Sequence, residues 1–500
     1  MVSRGLVVLC VLSVGCGGDD SSARHPDDAP QGVAVTLSVD PDASIASGET
    51  LQVTATIARS GFDGDVVIAP TSASSDLTVT GGTIAAGATS VPLQLVANAA
   101  ANSSHVDVSV EATAEGITIA PASIAVSIRG QFGMPIGGAA ANDNLGESVA
   151  LSADGKRIVI GAPLATTNGA EAGYARVYER SGTDWVQVGA DLLGEAAADR
   201  YGGAVAISND GSRIAIGSYE NDGGSNNGGS TKVFDLVGGT WTQVGADIDG
   251  LRASGQQGWS LSLSGSGSRI VIGAPTSASI AGTALVYELV NNAWTQVGTT
   301  FMGNRELGDA VAMSDDGNRV AIGSTSANGS EMYTGKVDVF SWNGAAWTQM
   351  GAPILGSEPA ALAGTSVSLS ADGNTVALGA SQADGNGPES GEVRVYHFDG
   401  TAWTQVGNAM LGAAGASRLG DSVSISADGT RLVACEPGNG GIVPYFRLIS
   451  GTWTLAPGPT FAMGARNGTG IAISPDGHTA AVGLPSANSS HGEVRVYDLP

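Results

Sequence analysis

Cysteine is almost missing from this chain. Of three in 500 residues, Cys10 and Cys16 lie at the extreme N-terminus and Cys435 stands alone in everything after them, so no disulfide can staple the body. Positive charge is scarce, with 22 Lys and Arg facing 47 Asp and Glu for a net charge of −25. So acidic a chain repels phosphate backbones and anionic lipid headgroups, which excludes nucleic acid from the expected partners. Aromatic residues are 5% of the total, and His25, His105, His397, His478 and His491 are scattered without metal-ligand spacing. The apolar stretch at residues 5–14 is too short for a permanent helical span of a bilayer. No nucleophile elbow or phosphate loop stands in a strand-to-helix setting, and no carboxylate pair for glycoside chemistry can be assembled.

Glycine, by contrast, is abundant at 75 residues, alongside 42% hydrophobic residues and a mean hydropathy of +0.12. That supplies apolar material for buried cores, and the low aromatic and charged content suits small-residue strands joined by tight turns. The expectation is an all-β protein of more than one domain.

The first residues read as a targeting segment. Arg4 is the charged start, residues 5–14 the apolar centre and Gly15 a small residue before Cys16, giving a signal peptide over residues 1–15. The run Leu12-Ser13-Val14-Gly15-Cys16 resembles the lipobox of bacterial lipoproteins, with Ser13 in place of the usual Leu. That resemblance implies cleavage before Cys16 and lipidation of its thiol. The protein would then be anchored in the cell envelope, at the outer membrane, facing periplasm or exterior, and would touch membrane only through the lipid. Residues 16–32 are polar and turn-rich, a flexible tether.

Residues 33–129 hold seven short stretches of Val/Thr/Ile alternation, at 35–39, 50–57, 66–68, 77–79, 90–96, 105–112 and 122–128, with turn signals such as Asp40-Pro41 and Gly81-Gly82 between them. This pattern predicts a β-sandwich. Gly48-Glu-Thr-Leu-Gln-Val-Thr54 and Ala86-Gly87-Ala88-Thr89-Ser90-Val91 are similar in texture to bacterial immunoglobulin-like domains, which implies a spacer.

From residue 130 to the end the chain repeats itself. Residues 364–407 are one copy: runs at 366–370, 375–378, 392–396 and 402–406, punctuated by Asp372-Gly373, Asp399-Gly400 and a long polar loop, read as a four-stranded antiparallel meander. Trp recurs near the end of each copy, at 185, 241, 294, 347, 403 and 453, where packing between neighbouring copies explains it better than sugar stacking. Seven Gly-led first strands face six Trp strands. The missing fourth strand is found at the other end of the region, where 131–137 (Gln-Phe-Gly-Met-Pro-Ile-Gly) matches Thr-Gln-Val-Gly without its Trp. A ring whose first strand completes its last sheet leaves no exposed edge at the seam, and the arithmetic predicts a seven-bladed β-propeller over 130–500 with residues 131–137 closing the last blade. Cys435, standing where other copies carry a glycine such as Gly217, is expected to be a buried core thiol.

Leu-Gly at the head of the copies (Leu145-Gly146, Leu307-Gly308, Leu419-Gly420) and Gly-Ala-Pro after the second strand (Gly161-Ala162-Pro163, Gly273-Ala274-Pro275) resemble the FG-GAP repeat of integrin α-type propellers. The resemblance implies a binding propeller, commonly one that holds calcium through Asp-x-Asp-x-Asp-Gly in a hairpin. This chain has Ser-x-Asp-Gly there, at Asp154, Asp210, Asp316, Asp372, Asp428 and Asp476, and Gly265-Ser266-Gly267 in the third copy. One or two carboxylates per turn cannot supply six to eight oxygens, so the residues favour turn chemistry over calcium, and no metal or other cofactor is expected. The same motif invites comparison with sialidase Asp-boxes, but Arg157, Arg213, Arg269, Arg319, Thr375, Arg431 and Thr479 lie close after the turn where those boxes carry an aromatic.

Long connections join second to third strands and blade to blade, and both emerge on one face, where recognition concentrates on rigid scaffolds. The candidate binding residues there are Glu171, Asp199, Asp222, Asp249, Glu331, Asp384 and Glu389. The function expected is a monomeric, non-enzymatic surface lipoprotein whose integrin-like propeller serves adhesion or an interaction with a protein or carbohydrate. The alternative is an extracellular glycan-acting hydrolase on the same fold.

Overall fold

A computed structural model describes residues 33–38, 44–46, 50–59, 64–72, 74–98, 104–114, 117–250, 252–275, 281–303, 306–328, 332–438, 441–456, 461–462 and 470–499. The signal segment, Cys16, the tether and Glu331 lie outside the described residues. The chain divides into two compact units, one within Met1–Gln131 and one over Phe132–Ala456 and Thr460–Tyr497.

The first unit is a two-sheet sandwich. One sheet orders Val33–Ser38, Thr50–Arg59, Ser90–Ala97 and Leu77–Thr80; the other orders Ser44–Ala46, Ile117–Arg129, Ser104–Ala114, Val66–Ser72 and Gly82–Ile84. Alternation does the sorting: Val53, Ala55 and Ile57 of one sheet and Val106, Val108 and Val110 of the other are all buried in a single core. Two strands escaped the sequence reading. Ser44–Ala46 is too short to show periodicity and pairs in parallel with Ile117–Arg129, while Gly82–Ile84 begins inside a glycine pair that reads as a turn.

The second unit is a β-propeller: among the described residues it has seven antiparallel sheets with a four-strand path, five of them carrying a short fifth strand on the third, and a two-stranded pair of Ile442–Val443 with Phe461–Ala462. In the fifth blade the strands run Ala363–Leu369, Thr375–Ala380, Glu392–Phe398 and Trp403–Gln405, within a few residues of the runs read from the sequence. The last blade orders Ile136–Gly137, Glu493–Asp498, Thr479–Leu484 and Ile471–Ile473, so its outer strand comes from the start of the propeller region. Ile136 pairs with Val494, and the Phe132 N–H extends the seam to the Val496 carbonyl at 2.7 Å.

Neighbouring blades are tied in four ways, each traceable to one repeated residue. At the residue between Ser and Asp of each Ser-x-Asp-Gly turn, a backbone N–H donates to the equivalent carbonyl of the next blade. Ala153 donates to Asn209, Asn209 to Gly265, Gly265 to Asp315, Asp315 to Ala371, Ala371 to Ala427 and Ala427 to Pro475, at 2.8–3.0 Å. Proline has no N–H to give. The neighbouring Asp476 supplies it instead, donating to Ala153 at 3.2 Å and closing the circle.

The second tie is a backbone approach. Gly161, Gly217, Gly273, Gly323, Gly379 and Gly483 on the second strands each face a blade-opening glycine of the following blade, Gly202, Gly258, Gly308, Gly364, Gly420 and Gly146 respectively, with space for no side chain. The third uses the arginines that follow the turn. Arg157, Arg213 and Arg269 donate to the next blade's Gly211, Gly267 and Gly317 carbonyls at 2.8, 3.0 and 3.2 Å, and Arg319 donates to the Asp372 carbonyl.

The fourth is the tryptophan. The indole N–H of Trp241, Trp294, Trp347, Trp403 and Trp453 donates to a carbonyl of the preceding blade, Val188, Val244, Val297, Met350 and Val406, at 2.6–3.0 Å. At the seam the pattern changes: Trp185 packs edge-on against Phe132 at 5.8 Å, and the Arg180 guanidinium covers the other ring at 3.5 Å. Cys435 is a buried thiol that forms no disulfide.

A methyl group at Gly379 would lie 1.9 Å from the Gly420 carbonyl oxygen, whereas one at Gly137 meets nothing within 4 Å. Gly379→Ala should therefore cost at least about 2 kcal/mol by overpacking, and Gly137→Ala should be close to neutral, as read by the shift in denaturant midpoint at constant slope.

Candidate functional site

The two long loop classes meet, and they do so through backbone. Between the first and second blades, Ala198, Arg200 and Tyr201 donate N–H bonds to Ala170, Glu171 and Ala172 at 2.8, 3.2 and 3.0 Å. The same three rungs recur from Ser254, Gln256 and Gln257, from Ala360, Leu362 and Ala363, and from Ala416, Arg418 and Leu419. Each ladder holds non-glycine residues at positive φ, for example Glu171 at 55°, Ala198 at 68° and Arg200 at 59°. Such residues cost on the order of 1–2 kcal/mol each and persist only where surrounding bonds over-determine them. The loop face is thus a fixed surface rather than a set of free loops.

Several of the acids read as binding residues are part of that fixation. Asp199 is 3% exposed, because it sits between two left-handed residues and its carboxylate accepts from the Glu195 and Ala196 N–H groups at 3.2 and 2.8 Å. Asp143 does the same one blade earlier, accepting from Ala139, Ala140 and the buried Tyr174 hydroxyl. Asp199 is therefore a turn acceptor and not a docking group. Asp222 and Asp384 are exposed, yet each accepts from the N–H five residues on, at Asn227 and Glu389. Glu171 and Glu389 pair with Arg200 and Arg418 at 2.7 and 2.8 Å, and Asp249 is half-buried in a short outer strand. The structure does not gather these residues into one site.

The Ser-x-Asp-Gly acids are also engaged. In the fifth blade Asp372 accepts from the Ser370 hydroxyl at 2.6 Å and the Asn374 N–H at 2.9 Å. Burial pushes its carboxyl up, and these bonds outweigh that and hold it below the usual carboxylate range. The third copy completes its turn with Ser266, which needs no carboxylate. At most two carboxylates per turn, Asp315 and Asp316 in the fourth, do not fit a calcium ion, which wants six to eight oxygens.

What the sequence reading passed over is the position just after each blade-opening glycine. In all six described cases its N–H donates to the carbonyl three residues back, at 3.0–3.3 Å, fixing it at the loop-face end of the innermost strand. The residues there are Glu147, Gly203, Trp259, Asp309, Thr365 and Asp421, and no two adjacent blades agree. Their partners come from the ends of the second strands. Tyr219 packs against Trp259 with ring centres 4.9 Å apart, and Thr325 touches both Asp309 at 2.5 Å and Glu306 at 2.7 Å, while Ser326 bonds Glu306 as well. Trp259 alone of these carried a signal in the sequence, as a large aromatic breaking a small-residue strand.

The Thr325 hydroxyl has one proton and two carboxylates to serve. Burial, opposed by the Thr325 bond and reinforced by the Glu306 charge, pushes the Asp309 carboxyl up to about 6. A cavity of about 140 Å³ lies apart from this cluster, between the second and third blades, lined by groups including Gln257, Leu285, Tyr287 and Met302 and by no carboxylate.

Because Asp309 binds its proton more tightly folded than unfolded, its contribution is most favourable below pH 4 and is lost as pH rises through about 6. Asp309→Asn should raise stability at neutral pH by on the order of 1–3 kcal/mol and flatten the dependence between pH 4 and 6, as read by urea unfolding across that range.

Comparison with known proteins agrees with this geometry. The FG-GAP repeat profile matches residues 137–178, the end of the seam and most of the first blade. No curated protein matches the chain. Among solved structures it is similar to hydrazine synthase of Kuenenia stuttgartiensis (10% identity, 71% of this chain and 96% of that one, TM-score 0.48). It is also similar to a protein described as a 6-phosphogluconolactonase from Bacteroides uniformis (15%, 67% and 89%, 0.48), and to a chain of the mitotic checkpoint complex (14%, 73% and 94%, 0.47). These distant likenesses carry no argument about function. The glycine pairs and turns of the matched segment recur around the ring, and the chain is a β-propeller that carries an FG-GAP repeat at residues 137–178.

Proposed function

We propose that this protein is a non-enzymatic binding protein of the bacterial cell envelope, lipid-anchored through Cys16. An immunoglobulin-like spacer would hold its propeller out for adhesion or for interaction with a protein or glycan. One observation carries the reading: in a ring whose structural positions repeat from blade to blade, the residues at the loop-face ends of the innermost strands differ from each neighbour. A rigid frame with divergent residues at a shared location is the arrangement recognition uses.

In the alternative, a glycan-acting hydrolase, Glu195 and Asp247 share Lys232 and Glu171 and Glu220 share Arg200, whereas among the described residues no bridging cation joins Glu306 and Asp309. Their oxygens both touch the Thr325 hydroxyl, which occupies the place a scissile bond would need between them. The acids of the turns are spent on backbone N–H groups, and Glu171 and Glu389 of the ladders on arginines.

Two measurements on the full chain test the proposal. Fatty-acid labelling should mark the wild type and not Cys16→Ala, and the wild type should retain envelope proteins or glycans on an array without releasing shorter products. Label on the variant would remove the anchor; product release would favour the hydrolase.

A further inference from the structure

Trp259 behaves unlike the tryptophans that tie the blades. Their indole N–H groups each reach a carbonyl of the preceding blade, whereas that of Trp259 has no protein acceptor among the described residues, and the side chain is 41% exposed. Exposing so large an apolar ring at the end of an innermost strand has no structural return. It is nevertheless held in place. Tyr219 packs on it at 63° between ring planes, and Tyr219 itself lies over Gly203, where a Cβ would come within 2.4 Å of the phenol ring. The blade-opening positions of two adjacent blades thus act together: one gives up its side chain so that Tyr219 can buttress the indole of the next.

The Tyr219 phenol is flanked by charged residues: Glu220 follows it in the chain, and Arg200 lies with it against Gly203. Burial and the Glu147 carboxylate push its phenol up to about 12, with Arg200 opposing and Glu220 and Glu171 adding to the rise. The phenol is therefore a neutral hydrogen-bond donor at ordinary pH. Arg200 pairs with Glu171 at 2.7 Å and lies 3.8 Å from Glu220. An exposed aromatic surface bordered by carboxylate acceptors, a guanidinium and hydroxyl donors matches the two-sided chemistry of a pyranose, whose C–H face is apolar and whose rim is a ring of hydroxyls. The local excess of carboxylate, on a chain of net charge −25, disfavours uronic or sulfated sugars.

We infer that Trp259, buttressed by Tyr219 and bordered by Glu147, Arg200 and Glu220, forms a subsite for a neutral saccharide at the centre of the loop face. This deepens the binding reading above and rests on it. Sugar C–H groups stack on the indole, its free N–H donates to a ring hydroxyl, and the carboxylates accept from the remaining hydroxyls.

The test is calorimetric titration of the full chain with cellotetraose, chitotetraose and maltotetraose, with arginine amide as a cationic probe and product analysis after each run. At least one tetrasaccharide should bind, Trp259→Ala should weaken it by about tenfold or more, and Trp259→Phe should keep part of the affinity. Because the indole is exposed, near-ultraviolet circular dichroism and unfolding midpoint should show that the variants fold. Equal binding by Trp259→Ala overturns the subsite while leaving the binding reading intact, and so does arginine amide being the sole probe to depend on Trp259. No binding of any tetrasaccharide below about 10 mM also overturns it. Release of shorter sugars would instead overturn the non-enzymatic reading and leave the subsite standing.

Discussion

Seven backbone hydrogen bonds, running from turn to turn around one end of the ring, are the constraint on which the propeller depends. They link Ala153, Asn209, Gly265, Asp315, Ala371, Ala427 and Pro475 in a circle that returns to Ala153 through the Asp476 N–H. Because every residue of the circle both donates and accepts, save at the seam where Pro475 accepts and Asp476 donates, every blade has to present its Ser-x-Asp-Gly turn at the same height and tilt. The Asp and Gly of those turns are explained by that demand: the carboxylate ties Ser, the backbone and the turn into one conformation, and the glycine accepts its positive φ. Side chains on the circle must be small or mutually accommodating. Gly265 is the clearest case, since Asn209 and Asp315 hydrogen-bond across it at 2.9 Å and a Cβ there would meet both.

Closure at one end permits close approach along the blades, and close approach explains the glycine content. Paired glycines bring the second strand of one blade onto the opening of the next, and the arginines and tryptophans then satisfy carbonyls that the approach would otherwise leave bare. The loop face inherits this rigidity through its backbone ladders. It can afford divergent side chains because its backbone bonds do not depend on them. Function on this fold therefore belongs where the repeat is broken without a structural reason, and the Tyr219–Trp259 corner is such a place.

The architecture was legible in the sequence to the level of a single strand. Counting seven Gly-led first strands against six Trp strands located the seam at 131–137, and Phe132 and Ile136 pair there. The strands at Ser44–Ala46 and Gly82–Ile84 were not legible, being shorter than the period that reveals a strand. The site was much less so. Asp199, Asp222 and Asp384 look like a charged rim in one dimension, and nothing in composition shows that a carboxylate is consumed by N–H groups three to five residues away. Conversely, Arg157, Arg213, Arg269 and Arg319 showed their regularity without showing what they bind, a carbonyl about fifty residues downstream. Asp309 and Thr325 are brought together by the pairing of two strands, which spacing along the chain does not reveal.

Native-state hydrogen exchange tests the central claim most directly. If the circle is closed, the N–H groups of Ala153, Asn209, Gly265, Asp315, Ala371, Ala427 and Asp476 should exchange only through global unfolding of the propeller, with one common opening free energy despite lying in turns. Fast exchange at Asp476 or Ala153, by local fraying while the others stay protected, would show a ring open at its seam and contradict the account.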